Sequence, residues 1–193
     1  MRTYGTPPNF KSWQDFAKFF ATARQPGMYD IIRDIHWDLR PHADLGTLEV
    51  RVMDAQPTVK ESMMLAALLH ALIVHLQYSH LRQESGFLLP PLPWVIDKEN
   101  YFRASRLGLD ARFIEDDQGN SRSIRSMVLD ILDTIAVIAD KLGETEYLKL
   151  LEKRLETGAS YLRQRQVWQE TGSLKVVVAS LVRELEEELS TKR

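Results

Sequence analysis

The chain contains no cysteine, which excludes disulfide bridges, thiolate nucleophiles and cysteine-held metals. Absence of cysteine also fits a reducing compartment. Charge of one sign is scarce: 25 lysines and arginines stand against 27 aspartates and glutamates, for a formal net charge of −2 and a pI near 6.2. No basic stripe is present, so nonspecific nucleic-acid binding by phosphate neutralisation is not expected. Long hydrophobic runs are also lacking. The longest, Met63 to Leu76, is about 14 residues and is interrupted by His70 and His75, short of the ~20 that span a bilayer. A buried core helix is expected there, and no membrane partner. Residues 1–30 lack the apolar stretch of a secretory leader. Neither Gly-x-x-x-x-Gly-Lys nor Gly-x-Gly-x-x-Gly occurs, so a nucleotide site would have to be built on an open sheet.

What is present is the composition of a soluble globular protein, 193 residues with 44% hydrophobic and 27% charged side chains, enough for one domain or at most two small ones. Helix signals are frequent. Ser12 opens a short amphipathic segment with Phe16, Phe19 and Phe20 that Pro26 and Gly27 stop near Arg24. Thr58 and Glu61 form a capping box ahead of the core helix. His70, His75 and His80 are spaced by five, a rotation of roughly 140° each, so they do not share a face and do not read as a metal motif. Leu88 to Trp94, with three prolines, reads as an extended linker. Beyond it the pattern is helical: residues 122–142 carry apolar side chains at three-four spacing up to Gly143, followed by 144–156, 159–171 and a last helix from Ser173 to about Leu189. The acidic run Glu184 to Glu188 reads as a solvated face.

The interval from Asp34 to Asp54 differs. Asp34 to Arg40 alternates, with Ile35, Trp37 and Leu39 on one face and Asp34, His36, Asp38 and Arg40 on the other. After six connecting residues, Thr47 to Met53 alternates again, with Glu49 and Arg51 on its polar face. A simple antiparallel hairpin pairs Arg40 with Thr47, Asp38 with Glu49 and His36 with Arg51. Two facing carboxylates imply a bound cation, an arginine clamp or a raised pKa. The plainer reading is a half-exposed sheet whose arginines neutralise their neighbours.

These residues carry a resemblance. Trp37-Asp38-Leu39-Arg40-Pro41-His42 and Gly46-Thr47-Leu48-Glu49-Val50-Arg51-Val52-Met53-Asp54 are similar to the central signature of the bacterial glutamate–cysteine ligase type 2 family, the carboxylate–amine ligases. Gly5 to Trp13, Glu99 to Ala111 and Gly158 to Arg165 resemble family segments in the same order. The resemblance implies an α+β fold, a partial glutamine-synthetase-like antiparallel sheet with a helical C-terminal part. It implies a single domain over 1–193, with a sheet-forming part of about 1–57 and a helical part of about 58–193. It further implies an ATP-dependent ligase forming a γ-glutamyl amide through an acyl phosphate, as in glutathione biosynthesis, with ATP and Mg2+, glutamate and an amino acceptor such as cysteine. In such a site Glu49 is the metal ligand. Arg51, Arg40 and Asp38 are the catalytic set, and Arg51, Asn100, Arg103 and Arg106 hold the nucleotide. Arg163 and Arg165 are weaker candidates, and the expected compartment is the cytoplasm.

Family members are about twice as long, and their N-terminal half carries a Gly-x-Glu-Glu-Glu strand absent here. The resemblance thus implies a C-terminal half, as a fragment, as a subunit pairing with a separately encoded N-terminal half, or as a remnant. An incomplete sheet edge predicts a homo-oligomer or a second chain. The alternative to a ligase is a non-catalytic binding or assembly module that keeps the scaffold.

Overall fold

The computed structural model describes residues 4–82 and 92–191. The chain divides into two compact units, Met1–Asp54 and Ala55–Arg193. Together they make an α+β protein with small sheets and a helical C-terminal part.

In the first unit, strand β1 (Tyr4–Gly5) precedes helix α1 (Trp13–Arg24), whose Ser12 cap accepts from the Asp15 N–H at 3.1 Å. That bond satisfies one of the free donors of the first turn. One face of α1 meets the chain around β2 (His36–Trp37) in an aromatic cluster in which Phe16, Tyr29, Ile35 and Trp37 are buried and Phe10 and Phe19 lean on the Trp37 ring. The expected strand from Asp34 to Arg40 is broken. Ile32–Asp34 forms a 3-10 turn, β2 pairs in parallel with β1, and the next strand, β3, runs from Leu39 to His42. Asp38 joins the two ladders: its N–H donates to the Gly5 carbonyl at 2.9 Å and its own carbonyl accepts from the Arg51 N–H at 2.7 Å.

Strand β4 is Thr47–Val50, shorter than the expected Thr47 to Met53. The register differs from the simple hairpin by two residues. Leu39 faces Val50, Arg40 faces Glu49, Pro41 faces Leu48 and His42 faces Thr47. The strand continues through Pro41 because bonded and non-bonded pairs alternate along an antiparallel ladder. With Arg51 bonded to Asp38, Pro41 sits where no N–H is needed. The connection is thus Ala43–Leu45, a 3-10 turn, closed by Gly46 at φ 61, a left-handed conformation open to glycine.

The second unit begins with α2 (Val59–Arg82). Its 24 residues and apolar composition match those of a membrane-crossing helix, and its partners are α4 (Ile124–Leu142) and α5 (Thr145–Thr157). Met64, Ala67 and Ala71 of α2 pack there on Leu132, Ile135, Leu148, Leu151 and Leu155. Small residues on α2 let the larger side chains of α4 and α5 approach its backbone. Of the expected linker, Leu88 to Pro91 lie outside the described residues, and Trp94 instead begins α3 (Trp94–Leu107). A hairpin that the periodicity did not suggest follows: β5 (Arg112–Ile114) and β6 (Ser121–Ser123), turned by Asp116, whose carboxylate accepts from the Gln118 and Asn120 N–H groups. Helices α6 (Ser160–Thr171) and α7 (Leu174–Ser190) pack on each other.

Ile135 is fully buried in the α2, α4 and α5 core, so Ile135→Ala is expected to cost about 2–5 kcal/mol in denaturant unfolding. Val137, exposed on the same helix, should change stability by less than about 0.5 kcal/mol on replacement by alanine.

Candidate functional site

The polar face of the β3–β4 hairpin carries an alternating pattern of charge. Arg40 lies directly across from Glu49, and the Arg51 backbone bonds to Asp38. The two-residue change of register replaces the expected Asp38–Glu49 opposition with opposite-charge neighbours, which is the favourable cross-strand arrangement. No like-charge pair remains to call in a metal.

Each side chain has a definite task. Arg40 is largely buried; its Nε and Nη2 donate to Glu49 Oε2 at 2.9 and 2.6 Å, and its Nη1 donates to the Arg33 and Ile35 carbonyls at 3.2 and 3.4 Å. All three guanidinium nitrogens are spent on the protein. Arg51 donates from Nη1 to Glu49 Oε1 at 2.9 Å, while its Nε and Nη2 have no partner among the described residues. Both arginines hold the Glu49 carboxyl below the usual carboxylate range, the Arg40 hydrogen bond most strongly. Glu49 therefore brackets two cations of different availability, one fixed and one open to an incoming anion. Asp38 meets this hairpin through its backbone, its carbonyl accepting from the Arg51 N–H at 2.7 Å. Within the same unit a cavity of about 790 Å3 is lined by Trp13, Phe16, Phe20, Arg24, Arg33 and His42 among others.

The remaining sequence-derived candidates are on α3 in the second unit. Asn100, buried, clamps the β5 backbone in both directions: its Nδ2 donates to the Ile114 carbonyl at 2.9 Å and its Oδ1 accepts from the Ile114 N–H at 2.8 Å. Arg103 pairs with Glu99 one turn earlier at 2.7 Å and reaches the Arg112 carbonyl. Arg106 lies over the Phe102 ring.

The late helices hold an ion-pair cluster whose pairings the sequence did not signal. Only half of the expected capping box forms: the Glu61 N–H donates to Thr58 Oγ1 at 3.2 Å. Its carboxylate, instead of returning to the helix cap, meets Arg154 at 2.9 Å and Arg163 at 2.8 Å through Oε1. Arg163 also pairs with Glu184 at 3.0 Å. Burial works against the Arg163 charge, yet Glu184 and Glu61 hold its pKa above the ordinary value. Glu188 accepts from the Lys60 N–H at the first turn of α2. Two of the glutamates expected to form a solvated face are thus tied to other helices. In the sequence Glu61 stands out as a glutamate at the start of an apolar helix, and Arg163 and the run Glu184 to Glu188 as separate features, with nothing to show that they meet.

Fold and site together define an α+β scaffold with an exposed strand face on which a carboxylate is bracketed by arginines. The profile of the glutamate–cysteine ligase family 2 matches residues 1–180, and the chain belongs to that family. A Trichormus variabilis protein bearing the glutamate–cysteine ligase 2 name is 66% identical over 192 residues, all of this chain and 50% of the relative. Rhodococcus jostii and Thermobifida fusca proteins of the same naming are 42% and 39% identical, covering 95% and 94% of this chain and 48% and 45% of themselves. The chain spans about half the length of these curated relatives.

A depressed folded-state pKa means that the stabilisation from Glu49 is complete above the unfolded carboxylate value, near ~4.3. It is lost as pH falls through the folded value. The hairpin is therefore expected to weaken only in acid, followed by NMR of the β3 and β4 amides between about pH 6 and 2. Glu49→Gln should remove that acid transition and shift the Arg40 side-chain resonances at neutral pH.

Proposed function

We infer that the chain is a portion of an ATP-dependent carboxylate–amine ligase of the glutamate–cysteine ligase type. The carrying observation is Arg51, held by Glu49 on an exposed strand face with guanidinium nitrogens to spare, in a chain of this family. In the proposed reaction the γ-phosphate of ATP passes to the γ-carboxylate of glutamate, giving ADP and an acyl phosphate. The nitrogen of an amino compound such as cysteine then attacks the acyl carbon, loses a proton and releases phosphate. Arg51 would neutralise a phosphoryl or carboxylate oxygen, with planar paired donors suited to either. Glu49 orients it, and Arg40 braces Glu49 from the buried side. Asp38, whose carbonyl accepts from the Arg51 N–H, is proposed to orient the substrate. The cavity beside Trp13, Phe20, Arg24 and Arg33 has rings and cations suited to a base and its phosphates.

Magnesium belongs to such a reaction, but the residues present do not fit it. No group of three or more histidine, aspartate or glutamate side chains converges among the described residues, and both Glu49 oxygens are taken by arginines. Divalent cations of this kind require several oxygen ligands. We propose that the metal's carboxylates come from the polypeptide corresponding to the other half of the relatives, in the same or a second chain, in the cytoplasm. Asn100, Arg103 and Arg106 remain proposed nucleotide contacts, of which Arg106 has the most freedom. The occupied Glu49 carboxylate equally favours a second reading, an assembly module that retains the scaffold without catalysis.

Calorimetric titration with magnesium–ATP, with and without glutamate, separates the two. A ligase portion should bind, and Arg51→Ala should weaken binding by about 10- to 100-fold, as expected for losing a charge-assisted contact. Absence of heat in both titrations would leave the assembly module as the reading for the isolated chain.

A further inference from the structure

The ion-pair cluster of the second unit borders a cavity of about 510 Å3, within the range of small-molecule sites. Its two sides differ in sign. Glu184, Glu187 and Glu188 come from the last turns of α7, while Lys153 and Arg154 come from the last turn of α5 and Lys60 from the first turn of α2. Opposite charges that border one space ordinarily close into ion pairs, and some of these do: Arg163 bridges Glu61 and Glu184. Others do not. The ammonium groups of Lys60 and Lys153, the Glu187 carboxylate and the terminal nitrogens of Arg154 make no ion pair or hydrogen bond among the described residues. At the centre Glu61, with a side chain only 5% exposed, uses Oε1 for both arginines and leaves Oε2 buried without a partner. A buried acceptor without a donor is costly and calls for an explanation.

We propose that this cavity is a binding site for a small zwitterion of amino-acid or short-peptide type. Its ammonium group would be received by the α7 glutamates and the unmet oxygen of Glu61, and its carboxylate by Lys153, Arg154 and Lys60. A purely anionic ligand would leave the α7 wall unmatched, and a purely cationic one the α5 wall. The zwitterion satisfies both without changing the net charge of the site. The cavity is formed wholly by the second unit, so this inference does not depend on the ligase reading of the β3–β4 face.

The test is amide NMR of the full chain titrated with glycine and glycylglycine, and separately with acetate and with methylammonium. Both zwitterions should shift amides near Lys60, Leu150, Thr157 and Thr191 at millimolar concentrations where neither half-probe does. Lys153→Ala and Glu187→Ala break no internal ion pair, so they should keep the thermal unfolding midpoint while weakening binding about tenfold each. Glu49→Gln, which alters the other unit, should leave it unchanged, so a failed ligase assay and a failed zwitterion titration remain separate results. No shifts up to about 50 mM, a standard binding free energy weaker than about −2 kcal/mol, would overturn the proposal. Equal shifts with acetate or methylammonium alone, or binding indifferent to both alanine variants, would overturn it as well.

Discussion

The cross-strand pair Arg40–Glu49 is the interaction on which the signature region depends. A hairpin can slip, and each two-residue step preserves which side chains share a face while changing which ones meet. Here one step separates a ladder in which Asp38 opposes Glu49 from one in which Arg40 does. The second relieves the repulsion and buries most of the Arg40 guanidinium against two carbonyls and a carboxylate. A well-donated arginine of that kind is a fixed part of the scaffold. The availability of Arg51 follows from it, because a carboxylate oxygen already saturated by Arg40 leaves only one oxygen to hold its other neighbour.

The helical unit is organised around the opposite solution to the same problem. A carboxylate placed at the start of the core helix α2 is too buried to be left to water, so cations are brought from α5 and α6 to meet it. Breaking such a pair by removing one partner costs far more than the pair contributes relative to apolar packing. In the observed placement of α6, Arg163 reaches Glu61, Glu184 and the Gly158 carbonyl together.

Much of this was legible in the sequence, for identifiable reasons. The helices from Ile124 onward are set by three-four apolar spacing and punctuated by Gly143, Gly158 and Gly172, so their limits agree with the structure to within a few residues. The hairpin location and its polar face were also readable from alternation. Its register was not, because ending the strand before Pro41 lengthens the connection from four residues to six. That choice depends on whether a proline falls at a bonded or non-bonded rung, which is a property of the pair and not of one strand. The β5–β6 hairpin is too short for periodicity, although Asp116 and Gly119 mark its turn. Asn100 reads as a helix-surface polar residue until the strand it clamps is placed beside it. Partners remote in sequence, such as Glu61 and Arg163, leave no local pattern at all.

The bond from the Lys60 N–H to Glu188 brings the first turn of α2 against the last turn of α7. The helical unit is therefore closed on itself, with its entry and exit beside one another. Polypeptide arriving before α2 and polypeptide leaving after α7 would pass through the same neighbourhood. A unit wired in that way can be inserted into, or cut from, a longer chain with little disturbance to its core. Such a topology suits a fold whose relatives distribute one protein over twice this length.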